Sequence, residues 1–269
     1  MSDTKLEPAT TDAYRDDGVT VLRNVIPTQW RDALAQAIEQ NMTDPGPYGK
    51  NHDEAGGVFF GDYVNWKRFE AYRSVCSEGP LGEIASQLMN VDNVRLFHEH
   101  VLVKEPGTSA ETPWHQDMPY YCIRGTQTVS IWVPLDPVAK SVCPQFLAGS
   151  HTGRATFMPR WFKTLKPLEG DTSSYQPFPD IDEQRDGHRL RSWELSPGDA
   201  IAFDYHTVHN APANHSDTRR RAVSLRMIGD DARYVERPHA VSPPFPDLGL
   251  KLNMGDELPE DWFPTVYTA

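Results

Sequence analysis

A histidine and an aspartate stand two residues apart in the run Thr-Pro-Trp-His-Gln-Asp, as His115 and Asp117, and a further histidine, His209, lies far downstream. Two imidazole nitrogens and one carboxylate oxygen can grip one face of a divalent iron, leaving the opposite positions open for oxygen and a co-substrate. On a strand, residues two apart project from the same face, so His115 and Asp117 would sit side by side. The third ligand must come from elsewhere, and Tyr205-His-Thr-Val-His-Asn offers both His206 and His209. Spacing favours His209. Gly198-Asp199 reads as a tight turn feeding a strand over residues 200–203, and Arg220 lies eleven residues beyond His209. His52, His98, His100, His151, His188, His215 and His239 lack a partner pattern and are expected to be structural or solvated.

Elements must bring these distant residues together. Residues 10–90 read as mainly helical around one short strand in Gly18 to Ile26. Pro27 and Thr28 open a helix in which Trp30, Leu34 and Ile38 recur every four residues on one face. A second helix follows Gly79-Pro80, with Leu81, Ile84, Ala85 and Leu88 facing inward. From Val94 the pattern changes to short segments rich in β-branched and aromatic residues: Val94 to Lys104, Val129 to Leu135, Ala200 to Phe203 and, in part, Ala222 to Ile228. Short strands preceded by helices predict a mainly β fold, a double-stranded β-helix or jelly roll of the cupin kind, with its core over about 94–230 and N-terminal helices buttressing it. Residues 152–192 form a long polar and aromatic connection with Trp161, Phe162, Tyr175 and Phe178, which predicts a lid or binding loop. The tail over 237–269 is proline-rich and is expected to wrap the surface in extended form. No repeat or linker divides the chain, so one domain over residues 1–269 is expected.

Composition narrows the function classes. Lys plus Arg number 26 against 38 for Asp plus Glu, a formal net charge of −12. Nucleic-acid binding needs a basic footprint, and the one basic cluster, Arg219-Arg220-Arg221, falls in the candidate site region. The mean field also disfavours a strongly anionic substrate such as an acyl-coenzyme A, pointing to a neutral, zwitterionic or cationic small molecule. No apolar run approaches the about 20 residues of a membrane helix, and the polar, acidic start is unlike a signal peptide. Cys76, Cys122 and Cys143 are widely spaced with no C-x-x-C pair. That argues against a disulfide framework or zinc finger and for a reduced, cytoplasmic setting.

Several runs carry a resemblance: Lys104-Glu-Pro-Gly107, Trp114-His-Gln-Asp117, Ser130-Ile-Trp-Val-Pro-Leu135, Gly149-Ser-His151, Gly198-Asp199 with Phe203, and His209 followed by Asn214, Ser216 and Arg220. From about residue 12 to the tail the chain resembles the phytanoyl-CoA dioxygenase family of iron(II)- and 2-oxoglutarate-dependent oxygenases. The resemblance implies that His115, Asp117 and His209 hold Fe(II). It also implies that Arg220 binds the far carboxylate of 2-oxoglutarate, a role suited to a planar guanidinium fork. If Arg220 points inward, strand alternation turns Arg219 and Arg221 away. Lys104 and Trp132 match positions that line the co-substrate pocket in relatives. Phe59, Phe60, Tyr63, Trp66, Tyr120 and Tyr121 are candidates to shape a substrate cavity, about half of them by packing alone.

The implied reaction consumes O2 and 2-oxoglutarate, releases succinate and carbon dioxide, and hydroxylates an unactivated C–H bond. Asp117 argues against halogenation, which needs a small residue there to leave room for chloride. Before Gly149-Ser-His151 the chain departs from the family pattern, with Ser141-Val142 and Ala148 where Asn-Gly and a proline are usual. That places the local turn and the pocket edge in question, but not the ligands. Competing readings are a jelly-roll zinc or iron enzyme that does not use 2-oxoglutarate, and a degenerate binding module.

Overall fold

The structure, a computed structural model, describes residues 4–53, 55, 57–171, 173–183 and 185–269. Four helices, α1 (Pro8–Asp17), α2 (Thr28–Thr43), α3 (Ala71–Ser77) and α4 (Leu81–Met89), lie in the N-terminal third. The strands are β1 (Val19–Leu22), β2 (Lys50–Asn51), β3 (Phe59–Tyr63), β4 (Asn93–Lys104), β5 (Thr112–His115), β6 (Ile123–Arg124), β7 (Thr128–Pro134), β8 (Gln145–Leu147), β9 (Leu190–Arg191), β10 (Ala200–Phe203), β11 (His209–Ala211), β12 (Arg220–Ile228), β13 (Arg233–Tyr234) and β14 (Thr265–Thr268).

A major antiparallel sheet runs β1-β10-β7-β12-β4-β3-β2, with β14 also paired to β4. A minor sheet runs β5-β11-β8-β9. The two are the layers of a jelly roll. Alternation along the major strands divides its faces. Val101, Ile131, Val133, Val223 and Leu225 turn to the helices and pack with Leu34, Ile38, Ile84 and Leu88. Val19, Trp132, Ile201, Phe203 and Ala222 turn the other way and pack with Phe146 of the minor sheet. The site lies on this second face.

Local signals explain the helix ends. Asn90, in the left-handed conformation at φ 55°, closes α4. Gly18, at φ 74°, ends α1 and turns directly into β1. A Cβ there would fall 2.4 Å from His151 Nδ1 and 2.5 Å from Thr207 Oγ1, so only glycine fits.

Two expectations need correction. Residues 10–90 are helical less continuously than the periodicity suggests, because residues 44–70 contain β2 and β3. Phe59–Tyr63 pairs with the long strand β4, and half-buried pairing overrides the weak local signal of Phe-Phe-Gly-Asp-Tyr. The tail does more than wrap the surface, since β14 at its end joins the major sheet beside the start of β4. Among the described residues no helix is long and apolar enough to cross a membrane.

Candidate metal and co-substrate site

His115 and His209 face each other directly across the β5–β11 ladder, with ring centroids 4.2 Å apart. Asp117 arrives by another route than strand alternation. β5 ends at His115, and Asp117 adopts helical backbone angles at the head of the short 3-10 turn Met118–Tyr120. The Asp117 and Met118 N–H groups both donate to the Tyr205 carbonyl, which locks this turn against the 204–207 loop. All three side chains are buried, and one ligand atom from each lies within 4.8 Å of the others.

The histidines are oriented for ligation. His115 Nδ1 lies 2.8 Å from the Pro113 carbonyl, and His209 Nδ1 lies 2.9 Å from the Thr207 carbonyl. A carbonyl only accepts, so each Nδ1 carries the proton and each Nε2 lone pair is free for a metal. Burial, and then the neighbouring His115, push the pKa of His209 down to about 3, so its imidazole is neutral near pH 7. Burial alone would raise the Asp117 carboxyl, but the Arg226 guanidinium and the two imidazoles outweigh it and hold it well below the usual range. The pocket therefore offers two imidazole nitrogens and one carboxylate. That donor set fits iron(II).

Arg220 opens β12 directly opposite Lys104 on β4, buried, with Nη1 donating to the Val142 carbonyl. Its neighbours alternate outward as expected. Arg219 pairs with Glu39 and Glu105, and Arg221 with Asp136 and Glu39. Burial lowers Arg220 to about 10, which leaves it charged at neutral pH. The stretch that departs from the family pattern therefore reaches the pocket edge through Val142. Trp132 shares this inner face, paired in register with Ile201 and Ser224. Lys104 is there too, but its ammonium donates to the carbonyls of Ala110 and Pro212 at 2.6 and 2.9 Å.

The family model for phytanoyl-CoA dioxygenase (PhyH) matches residues 14–222. The chain belongs to the phytanoyl-CoA dioxygenase family. A probable phytanoyl-CoA dioxygenase from Caenorhabditis elegans is 25% identical over 149 residues, which are 53% of this chain and 46% of that protein. The chain thus spans about half the length of that relative. Among solved structures, the non-heme alpha ketoglutarate dependent carbocyclase SnoK from nogalamycin biosynthesis superposes with a TM-score of 0.77 at 22% identity, covering 97% of both chains. The epimerase SnoN, in complex with Fe3+, alpha ketoglutarate and nogalamycin RO, gives 0.75 at 21%, covering 97% of this chain and 100% of that one. EctD from S. alaskensis, with 2-oxoglutarate and 5-hydroxyectoine, gives 0.65 at 19%, covering 91% and 83%. At these identities the likeness carries the fold.

Within this phytanoyl-CoA dioxygenase family member, several motif residues act on the scaffold. Gln116 turns away from its two neighbours. Its amide donates to the Ala155 and His206 carbonyls and accepts from the Phe157 N–H, joining the 152–192 connection to the loop before His209. Ser150 accepts from the Val208 N–H, and His151 meets the Arg15 carbonyl at the end of α1. Asn214 donates to the carbonyls of Lys104, Glu105 and Thr218, tying β4 to the turn before β12. His206 sits outside the triad beside Asp204 and Arg154. The partly exposed ring of Phe162, within the long connection, lies 4.6 Å from that of His115.

The candidate aromatics divide by strand face. Phe60 and Trp66 join the core under the helices. Phe59 and Tyr63 sit on the inner face beside Lys104 and His100, Tyr120 lies against His115, and Tyr121 against His98. Sequence reading missed Arg226, and it placed His52, His98 and His100 among structural or solvated histidines. His98 and His100 project inward from β4. At Gly61 on β3 a Cβ would lie 2.6 Å from His52 Nε2, so the missing side chain makes room for that ring. Burial is the main cause that lowers all three, His52 to about 4.

These three histidines, together with His209, give a pH dependence. Each keeps its neutral form in the fold, whereas in the unfolded chain it takes a proton near pH 6.5. Their contribution is therefore complete above about pH 6.5 and is lost as pH falls toward the folded values of about 4 for His52 and about 3 for His209. Metal-free protein is expected to melt at a clearly lower temperature at pH 5 than at pH 7.5, losing up to about 1.4 kcal/mol per pH unit for each such group. Equal melting temperatures in chelator at the two pH values would refute this.

Proposed function

We propose that this chain is an iron(II)- and 2-oxoglutarate-dependent oxygenase that hydroxylates an unactivated C–H bond of a small-molecule substrate, with release of succinate and carbon dioxide. The observation that carries the reading is the convergence of His115, Asp117 and His209, on a face that also holds the buried Arg220. In this reading the three side chains hold iron(II), and Arg220 receives the distal carboxylate of 2-oxoglutarate, flanked by Trp132 and Lys104. Bound together, iron(II), 2-oxoglutarate and O2 supply the oxidising chemistry. The protein contributes orientation and exclusion of water. Phe162 and Tyr120, which pack around His115, suit the second task, and the 152–192 connection serves as cover over a single oxygenase domain.

The substrate is read as neutral, zwitterionic or cationic. The net charge of −12 supports this, as does the use of the inner cations. Arg226 is paired with Asp117, Lys104 is engaged by carbonyls, and Arg220 is matched by the co-substrate. SnoN and EctD are recorded with small molecules, nogalamycin RO and 5-hydroxyectoine, which supports a small-molecule substrate.

Anaerobic titration of the iron(II)-loaded protein with 2-oxoglutarate tests the reading. A weak visible charge-transfer band is expected in the wild type and none in His115→Ala. A well-folded, iron-loaded wild type without the band would rule out the co-substrate assignment.

A further inference from the structure

Arg226 lies on β12 between Ser130 of β7 and His98 of β4, six residues beyond Arg220 on the inner face. Its Nε donates to Asp117 Oδ2 at 3.2 Å. The other carboxylate oxygen, Oδ1, faces His115 Nε2 at 3.6 Å. The two oxygens of Asp117 are therefore divided, one toward His115 and one toward a guanidinium. Both side chains are buried.

A carboxylate can hold a divalent ion through one oxygen or through both, and the second mode occupies an extra coordination position. For Asp117 that mode would turn Oδ2 toward the metal, so that this oxygen is either shared between the ion and Arg226 or leaves a buried guanidinium without its partner, and both are unfavourable. We infer that Arg226 is a positioning residue that confines Asp117 to ligation through Oδ1, so that one more position at the metal stays open for the co-substrate. The inference rests on the iron(II) and 2-oxoglutarate reading above.

The competing explanation makes Arg226 a structural counter-ion for a buried carboxylate. Its surroundings argue against that being the whole role. A purely structural guanidinium would be expected to use all its N–H groups on the fold, yet Nη1 is buried without a hydrogen-bond partner among the described residues. Its other neighbours are the Tyr121 ring, 5.8 Å from Cζ, and His98 across the ladder, whose Nε2 is likewise without a partner. Among the described residues, one donor of the guanidinium that holds Asp117 thus remains unused by the fold.

Cobalt(II) separates the two explanations, because its visible absorption reports coordination number without turnover. Arg226→Met is expected to bind cobalt(II) with an altered spectrum and to bind 2-oxoglutarate about tenfold or more weakly. Arg226→Lys, which keeps a charged donor, should move both values back toward wild type. An Arg226→Met protein with the wild-type spectrum and 2-oxoglutarate affinity overturns the inference and leaves the oxygenase reading standing. A wild-type cobalt(II) protein that does not respond to 2-oxoglutarate overturns both. Should Arg226→Met fail to fold, a crystal structure of metal-loaded wild type decides the matter. Ligation by Oδ1 alone, with Oδ2 on Arg226, supports the inference, and two-oxygen ligation overturns it.

Discussion

Asp117→Ala is expected to abolish iron(II) binding and, separately, to lower the stability of the metal-free protein by about 3–5 kcal/mol. The first effect follows from the donor set, since the variant loses one of three ligands and the one that carries negative charge. The second follows from Arg226. Its side chain is 7% exposed and that of Asp117 is 5% exposed, so removing the carboxylate leaves a guanidinium buried without a counter-charge. A surface pair of the same geometry would be worth about 1 kcal/mol or less, so burial decides the size of the effect. Denaturant unfolding in chelator measures it. Adding Arg226→Met to Asp117→Ala should recover much of the lost stability, because the pair is then removed rather than broken. Metal binding should stay lost in the double variant. Unchanged stability in Asp117→Ala would mean that the buried pair contributes nothing.

Arg220→Ala is expected to weaken 2-oxoglutarate binding by about 2–5 kcal/mol, roughly 30-fold to several-thousand-fold, while leaving iron(II) binding near wild type. The magnitude again comes from burial. Arg220 is 6% exposed and, among the described residues, meets no carboxylate in an ion pair and donates to the Val142 carbonyl. A distal carboxylate would supply the charge that this buried guanidinium lacks. Arg220→Lys keeps the charge but loses the planar fork, so it should recover part of the affinity and not all. The increase in half-saturating 2-oxoglutarate, followed by the charge-transfer band, measures both variants. An unchanged half-saturation in Arg220→Ala would remove Arg220 from the co-substrate site and turn attention to Lys104.

Much of the site was legible because its signals are local or periodic. His115 and Asp117 lie two residues apart, and the β-branched runs at 94–104 and 200–203 match β4 and β10 closely. Alternation correctly separated Arg220 from Arg219 and Arg221, since β12 has one face under α2 and the other toward the minor sheet. The same reasoning failed for Asp117. Its backbone leaves the strand at His115, a change set by paired N–H bonds to the Tyr205 carbonyl, and Tyr205 is remote in sequence. Phe59–Tyr63 was unreadable as a strand for a similar reason, because its pairing partner is β4.

The sequence by itself determined the residue types that meet in the candidate site, the class of fold that carries them, and which arginine of three turns inward. These depend on side-chain chemistry and on the period of two along a strand, both visible within a few residues. Only the tertiary structure decided which groups pack against the candidate ligands. Arg226 meets Asp117 across 109 positions, and Gln116 fastens the 152–192 connection to the His206 carbonyl across 90. Such contacts arise where two sheets close on each other, and a one-dimensional pattern carries no record of which inward-facing residues then become neighbours.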